Sequence, residues 1–192
     1  MKSTALKKNG FILIKKYAGL FVFLFGLTLL LFISHFNEKP FHLGDVQSLD
    51  RKIKIAPDFT LVNLKGNREG LINHKGEVIL LNLWATWCAP CRIEMQSLEN
   101  LYRRYRSQGL TVLAVSIDKD TVQNVKKFIV ERQLSFPVLL DNKGTVERLY
   151  PTPTIPATFV IDKMGRIVTT VDGAKNWDAE ETFQAVEFLL NR

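Results

Sequence analysis

Residues 17–36 form a run of twenty positions without a charged side chain, and no other feature constrains the 192-residue chain as strongly. Twenty helical residues rise ~30 Å, the thickness of a bilayer's hydrocarbon core. From 20 to 32 the run is Leu, Phe and Val apart from Gly26 and Thr28. A basic start before an apolar run is also the mark of a cleaved signal peptide. This run is long for such a segment, however, and it ends Phe32-Ile33-Ser34-His35-Phe36, without the pair of small residues a signal peptidase needs. It therefore reads as a retained anchor, and no Cys follows closely enough for a lipid anchor. Lys2, Lys7, Lys8, Lys15 and Lys16 lie on its near side, whereas the far side opens Asn37-Glu38-Lys39-Pro40. That bias holds the N-terminus in the cytoplasm and exports the rest. The expected organisation is a basic cytoplasmic segment 1–16, a transmembrane anchor 17–36, a polar tether 37–55 containing Pro40 and Gly44, and one folded domain 56–192.

The charge distribution removes one class of function. The formal net charge is +7, but the N-terminal lysines account for five of the 26 basic residues, leaving 21 against 19 acidic ones. A nucleic-acid-binding domain would need its basic excess on the folded part, so no nucleic-acid partner is expected. With 46% apolar and 23% charged residues, disordered and fibrous readings also fall away.

Beyond residue 56, short β-rich runs alternate with amphipathic ones. Strands are expected at 77–85, 110–117, 137–140 and 157–161, short and β-rich as buried central strands are. A further strand at 166–171 follows the turn Asp162-Lys163-Met164-Gly165, which makes the last two strands a hairpin. Helices are expected at 88–107, with Leu98, Leu101, Tyr102 and Tyr105 on one face, and at 121–133, with Val122, Val125, Phe128 and Ile129 behind an Asp120 cap. The last helix should start after Asp178, with Glu181 in capping-box spacing and a stripe of Phe183, Val186, Leu189 and Leu190. This order gives a mixed sheet with helices on its faces.

The only two cysteines are Cys88 and Cys91. Random placement would put two cysteines three apart in about 1% of chains this long. Half a zinc site would need further soft ligands, yet there is no other Cys and only His74 lies within the domain. A structural disulfide across so short a loop has little entropic benefit. Redox chemistry fits better, because a domain outside the cytoplasm meets oxidising surroundings where paired thiols cycle. A strand ending near Ala85 would deliver Cys88 to a helix N-terminus, where free N–H groups and the dipole favour a thiolate. Cys88 is then the nucleophile. Cys91, one turn further in behind Pro90, is the thiol that resolves the mixed disulfide.

These residues resemble the thioredoxin superfamily, and within it the membrane-anchored TlpA/ResA/DsbE branch of extracytoplasmic thiol-disulfide oxidoreductases. The resemblance rests on Ala56-Pro57-Asp58-Phe59, on Leu81-Asn82-Leu83-Trp84-Ala85-Thr86-Trp87-Cys88-Ala89-Pro90-Cys91-Arg92, on Glu94, and on Ile155-Pro156-Ala157-Thr158-Phe159-Val160-Ile161-Asp162. It implies a thioredoxin-like α/β fold over 56–192, with residues 120–141 as the branch's central helix-strand insertion. It also implies that Pro156 is the cis-proline facing the active site, with Ile155 offering backbone groups to a client peptide and Trp87 beside them as a further substrate-binding residue. Asn82 stands where thioredoxin has a buried Asp that handles the second thiol's proton, and Glu94 is the candidate replacement. Gln96 replaces the proline usual in the long helix, and Ala157 stands where cytochrome-maturation members often carry an acid.

The resemblance implies a reductase of exported client proteins such as apocytochrome c or oxidase assembly factors. A membrane electron donor of the DsbD or CcdA kind would re-reduce it. Pro90, and the absence of a His between the cysteines as in the oxidant DsbA, favour the reducing direction. No cofactor is expected beyond the redox-active Cys88–Cys91 disulfide, and no metal. Two alternatives stand beside this reading. A copper chaperone would need a soft ligand near the cysteines, for which Met95 is the candidate. A thiol peroxidase of the peroxiredoxin type has Thr three residues before its reactive Cys, and here that place is Ala85.

Overall fold

A computed structural model describes residues 54–119 and 122–192. The expected anchor at 17–36, most of the tether and the Asp120 cap lie outside them. Among the described residues no helix is long and apolar enough to cross a membrane.

One eight-stranded sheet organises the fold. In chain order the strands are β1 (Lys54–Ile55), β2 (Thr60–Asn63), β3 (Arg68–Gly70), β4 (Val78–Trp84), β5 (Leu110–Ser116), β6 (Val138–Leu140), β7 (Ala157–Ile161) and β8 (Arg166–Asp172). They lie in the order β1-β8-β7-β4-β5-β6-β2-β3. β4, β5 and β6 run parallel, with Leu81 opposite Leu113 and Val115 opposite Leu139. The other pairings are antiparallel. Every residue of β4 and β5 is buried, which is why these strands read as largely apolar runs, broken only by Asn82, Thr111 and Ser116. The helices are α1 (Ala89–Tyr105), α2 (Val122–Glu131), α3 (Thr145–Leu149) and α4 (Glu180–Leu190).

The expected strands all form. Three elements were not anticipated: β1, the β2–β3 hairpin and the one-turn α3. The hairpin is short and has few apolar residues, so it carries no period that could mark it. It closes tightly at Gly70, where a Cβ would lie 1.8 Å from the Phe59 carbonyl oxygen, so only glycine fits. The last helix also starts differently. Its cap is Ala179 without a side-chain bond, and Asp178 accepts instead from the Asn100 amide at 2.7 Å, a tertiary partner that outcompetes the local capping box.

Alternation along β4 divides the core. Val78, Leu80 and Trp84 face Met95, Leu98, Leu101 and Tyr105 of α1, together with Val125 of α2 and Val186 and Leu190 of α4. Ile79, Leu81 and Leu83 face Phe59, Val146, Tyr150 and Phe159 on the other side. Asn82 shares the α1 side with Leu80 and Trp84, and this parity sends its amide into the helix that follows the cysteines.

Candidate active site

The site lies at the C-terminal end of β4. The chain leaves the sheet at Trp84, and the loop Ala85–Trp87 carries it to Cys88, the N-cap of α1, with Pro90 in the first turn. Asp118, just beyond β5, anchors this loop. Its carboxylate accepts from the Thr86 backbone N–H at 3.0 Å, from the Thr86 hydroxyl and from the Ser116 hydroxyl at 2.8 Å. Trp87 then projects outward, 68% exposed, and Ile93 on the first turns of α1 is exposed beside the cysteine motif.

Cys88 and Cys91 form a disulfide. The Cys91 backbone N–H points at Cys88 Sγ from 3.3 Å, so a free helix-terminal donor is aimed at the sulfur that would carry negative charge in the reduced form. Cys88 is 6% exposed and Cys91 fully buried, an asymmetry that suits nucleophile and resolver. On the far side of Cys88 the Ile155–Pro156 peptide bond is cis. The Ile155 carbonyl oxygen lies 3.7 Å from Cys88 Sγ, two residues before β7 begins at Ala157. Cys88 and Ile155, 67 positions apart in sequence, thus meet at one end of the sheet.

Glu94 lies inside. It is 2% exposed, and both carboxylate oxygens are engaged. Oε1 accepts from the Asn82 side-chain amide at 2.9 Å, while Oε2 accepts from the Lys175 backbone N–H at 3.0 Å and the Trp177 indole N–H at 3.1 Å. Burial pushes its pKa above the ordinary carboxylate range, and the three donors pull the other way without cancelling the effect. The Asn82 amide nitrogen also donates to the Thr158 hydroxyl at 2.9 Å, and Asn82 Oδ1 is buried without a partner. Met95, the soft residue nearest the cysteines in sequence, packs in the core and is 1% exposed. Among the described residues no group of three or more His, Cys, Asp or Glu side chains is placed to hold a metal ion.

The model of the AhpC/TSA family matches residues 54–170. The chain belongs to this family. Similar proteins include thiol-disulfide oxidoreductases named ResA. That of Oceanobacillus iheyensis is 34% identical over 173 residues, covering 88% of this chain and 90% of the relative. That of Bacillus cereus is 33% identical over 139 residues, covering 72% and 76%. Among solved structures, a Chlorobium tepidum protein assigned as thiol:disulfide interchange protein DsbE is 32% identical, with a TM-score of 0.67, and covers 72% of this chain and 97% of its own. StoA from Bacillus subtilis is 27% identical, with a TM-score of 0.57, covering 70% and 97%. This family member is a thiol-disulfide oxidoreductase of the ResA and DsbE kind, its redox pair Cys88 and Cys91.

Three contributors to the oxidoreductase site were not visible in the sequence: Asp118, Lys175 and Trp177. Asp118 contacts Thr86 across 32 positions, and Trp177 reaches Glu94 across 83. Neither belongs to a local motif. The one clue to Asp118 was its place directly after a buried strand, where the C-terminal ends of parallel strands gather functional side chains.

Proposed function

We propose that this oxidoreductase works outside the cytoplasm as a membrane-tethered reductase of exported client proteins such as apocytochrome c or oxidase assembly factors. The observation that carries the reading is the Cys88–Cys91 disulfide at the start of α1, with the Ile155 carbonyl beside Cys88 Sγ and the buried Glu94 three residues after Cys91 on the same helix. In the reduced protein the Cys88 thiolate, favoured by the Cys91 N–H, attacks a client disulfide. That S–S bond breaks, one client sulfur leaves as a thiol after taking a proton, and a Cys88–client disulfide forms. Cys91 then gives its proton to Glu94, and its thiolate attacks Cys88 Sγ. The second client sulfur departs and the Cys88–Cys91 disulfide returns. Two electrons have passed from the dithiol to the client, and a membrane dithiol donor of the DsbD or CcdA kind restores them.

The client segment lies against Trp87, Ile155 and Pro156. The exposed Trp87 ring supplies apolar contact, and the Ile155 backbone pairs with the segment beside the sulfur under attack. Pulse alkylation of the reduced full-length chain near neutral pH tests the assignment of roles. Cys88 is expected to label at least about tenfold faster than Cys91, as a helix-terminal thiolate should against a buried thiol. Faster labelling of Cys91 reverses nucleophile and resolver.

The tethered, exported arrangement rests on the uncharged run 17–36 and on the five lysines, with no acidic residue among them, that precede it. Protease added to intact spheroplasts is expected to digest the domain that follows residue 37. Complete protection of the domain sinks this topology.

A further inference from the structure

The β8–α4 loop lies along α1 at three successive turns. At Glu94 it supplies the Lys175 N–H and the Trp177 indole N–H to the same oxygen, Oε2. At Ser97 the hydroxyl accepts from the Trp177 backbone N–H at 3.1 Å and donates to the Glu94 carbonyl at 2.8 Å. At Asn100 the amide donates to Asp178. Trp177 is itself 3% exposed, so its indole N–H has the carboxylate as partner rather than water.

The two oxygens of Glu94 therefore differ in kind. Oε2 faces two N–H groups that can donate but never accept, and a proton placed there would have no acceptor. Oε1 faces Asn82, whose amide presents its nitrogen while the buried Oδ1 has no partner. A half-turn of that amide brings an acceptor to Oε1 and also to the Thr158 hydroxyl, which the same nitrogen now contacts. Protonated and ionised Glu94 can thus both be served at Oε1, but only the ionised form at Oε2. The ionisable groups beside Glu94 on the first turns of α1 are the N-cap Cys88, Cys91 and Arg92, with Glu99, Tyr102, Arg103, Arg104 and Tyr105 further along the helix; the loop carries Lys175 and Asp178, and β4 and β7 carry none.

We propose that Trp177 is a positioning residue for the redox reaction: its indole N–H holds Glu94 Oε2 in the ionised form and so makes Oε1, opposite Asn82, the oxygen that takes the proton of Cys91. The proposal rests on the reading of Glu94 as the acceptor of that proton. By this account the loop's donors moderate the upward effect of burial and so help set the pH at which the carboxylate becomes available. Burial alone would push the Glu94 pKa higher still, and the indole donor opposes that tendency.

The test is Trp177→Phe, which removes the N–H and keeps an aromatic ring. In the oxidised full-length chain, where the thiols do not titrate, the carbon-13 resonance of the Glu94 carboxyl is followed against pH and assigned by its loss in Glu94→Gln. The titration is expected to move about one pH unit higher, because a donor to the charged form is gone. Release of a model peptide from its Cys88 mixed disulfide should show its acid limb displaced by the same amount. A merely structural role for Trp177 has the opposite sign: a loosened, wetter pocket would move the titration down toward the ordinary range, and that result, or no movement, overturns the proposal. A carboxyl that moves while the release profile does not overturns the proton-transfer reading and the functional part of this inference with it. Should Trp177→Phe fail to fold, site-specific benzothienylalanine at 177 replaces the N–H by sulfur within the same ring shape, and the same upward movement is expected.

Discussion

Cys91→Ser is expected to stop the protein after the first chemical step, with its client held on Cys88. Cys88 meets the client first, being at the helix cap beside Ile155, while Cys91 is fully enclosed. Attack by Cys88 does not need the second sulfur, so the mixed disulfide should form at a near-normal rate. Its resolution does need it, because a serine hydroxyl cannot close a disulfide. Multiple-turnover reduction should fall by ~10³-fold or more, leaving only slow release by external thiols. Serine is close to cysteine in shape, so the core around Met95 and Leu98 should be kept. Non-reducing electrophoresis of membranes carrying the variant, followed by mass spectrometry of the reducible adduct, reads the outcome. Rapid turnover without an adduct would sink the two-cysteine cycle.

The second large effect is expected at Glu94. Glu94→Gln should slow release from the mixed disulfide by ~10²-fold or more while lowering the thiol pKa values by about one unit. The two effects have one origin. Asn82 cannot take a proton, so removing the carboxyl deprives Cys91 of its acceptor, and removing a negative charge one helical turn away eases formation of the thiolates. The fold should tolerate the change. Gln Oε1 can accept from Lys175 and Trp177, and its amide nitrogen then faces Asn82, whose unpartnered Oδ1 can turn to meet it. Thiolate absorbance against pH and stopped-flow release kinetics measure the pair of effects, and unchanged values in both would reduce Glu94 to a structural residue.

A stability signature accompanies this variant. Because burial raises Glu94 above its unfolded value, its contribution is fully present below the ordinary carboxylate range and is lost as pH rises through the folded value. Thermal unfolding of the oxidised protein should therefore shift in favour of Glu94→Gln, relative to the unsubstituted chain, as pH rises through that window.

Much of the architecture was legible because its signals are local. β4 and β5 announce themselves as apolar runs since both faces of a central parallel strand are covered, and the Asp162–Gly165 turn marks the β7–β8 hairpin through the Asp162 carboxylate, which accepts from the Met164 and Arg166 N–H groups. The β2–β3 hairpin was illegible for the converse reason. Its strands lie at the sheet edge and expose alternate residues with little apolar content, so nothing in four residues distinguishes them from loop.

At the site the same division holds. Cys88 and Cys91 declare themselves by spacing alone, since four consecutive residues at a helix start bring both sulfurs together whatever the rest of the chain does. Glu94, too, shares a helix face with Cys91 by its position three residues on. Its burial, its donors and the proton-bearing oxygen were decided only when β4 placed Asn82 beneath α1 and the β8–α4 loop brought Trp177 from 83 positions away. Periodicity reports which face of an element is apolar, but the partner a buried carboxylate finds depends on how separate elements pack, and that is a property of the tertiary structure.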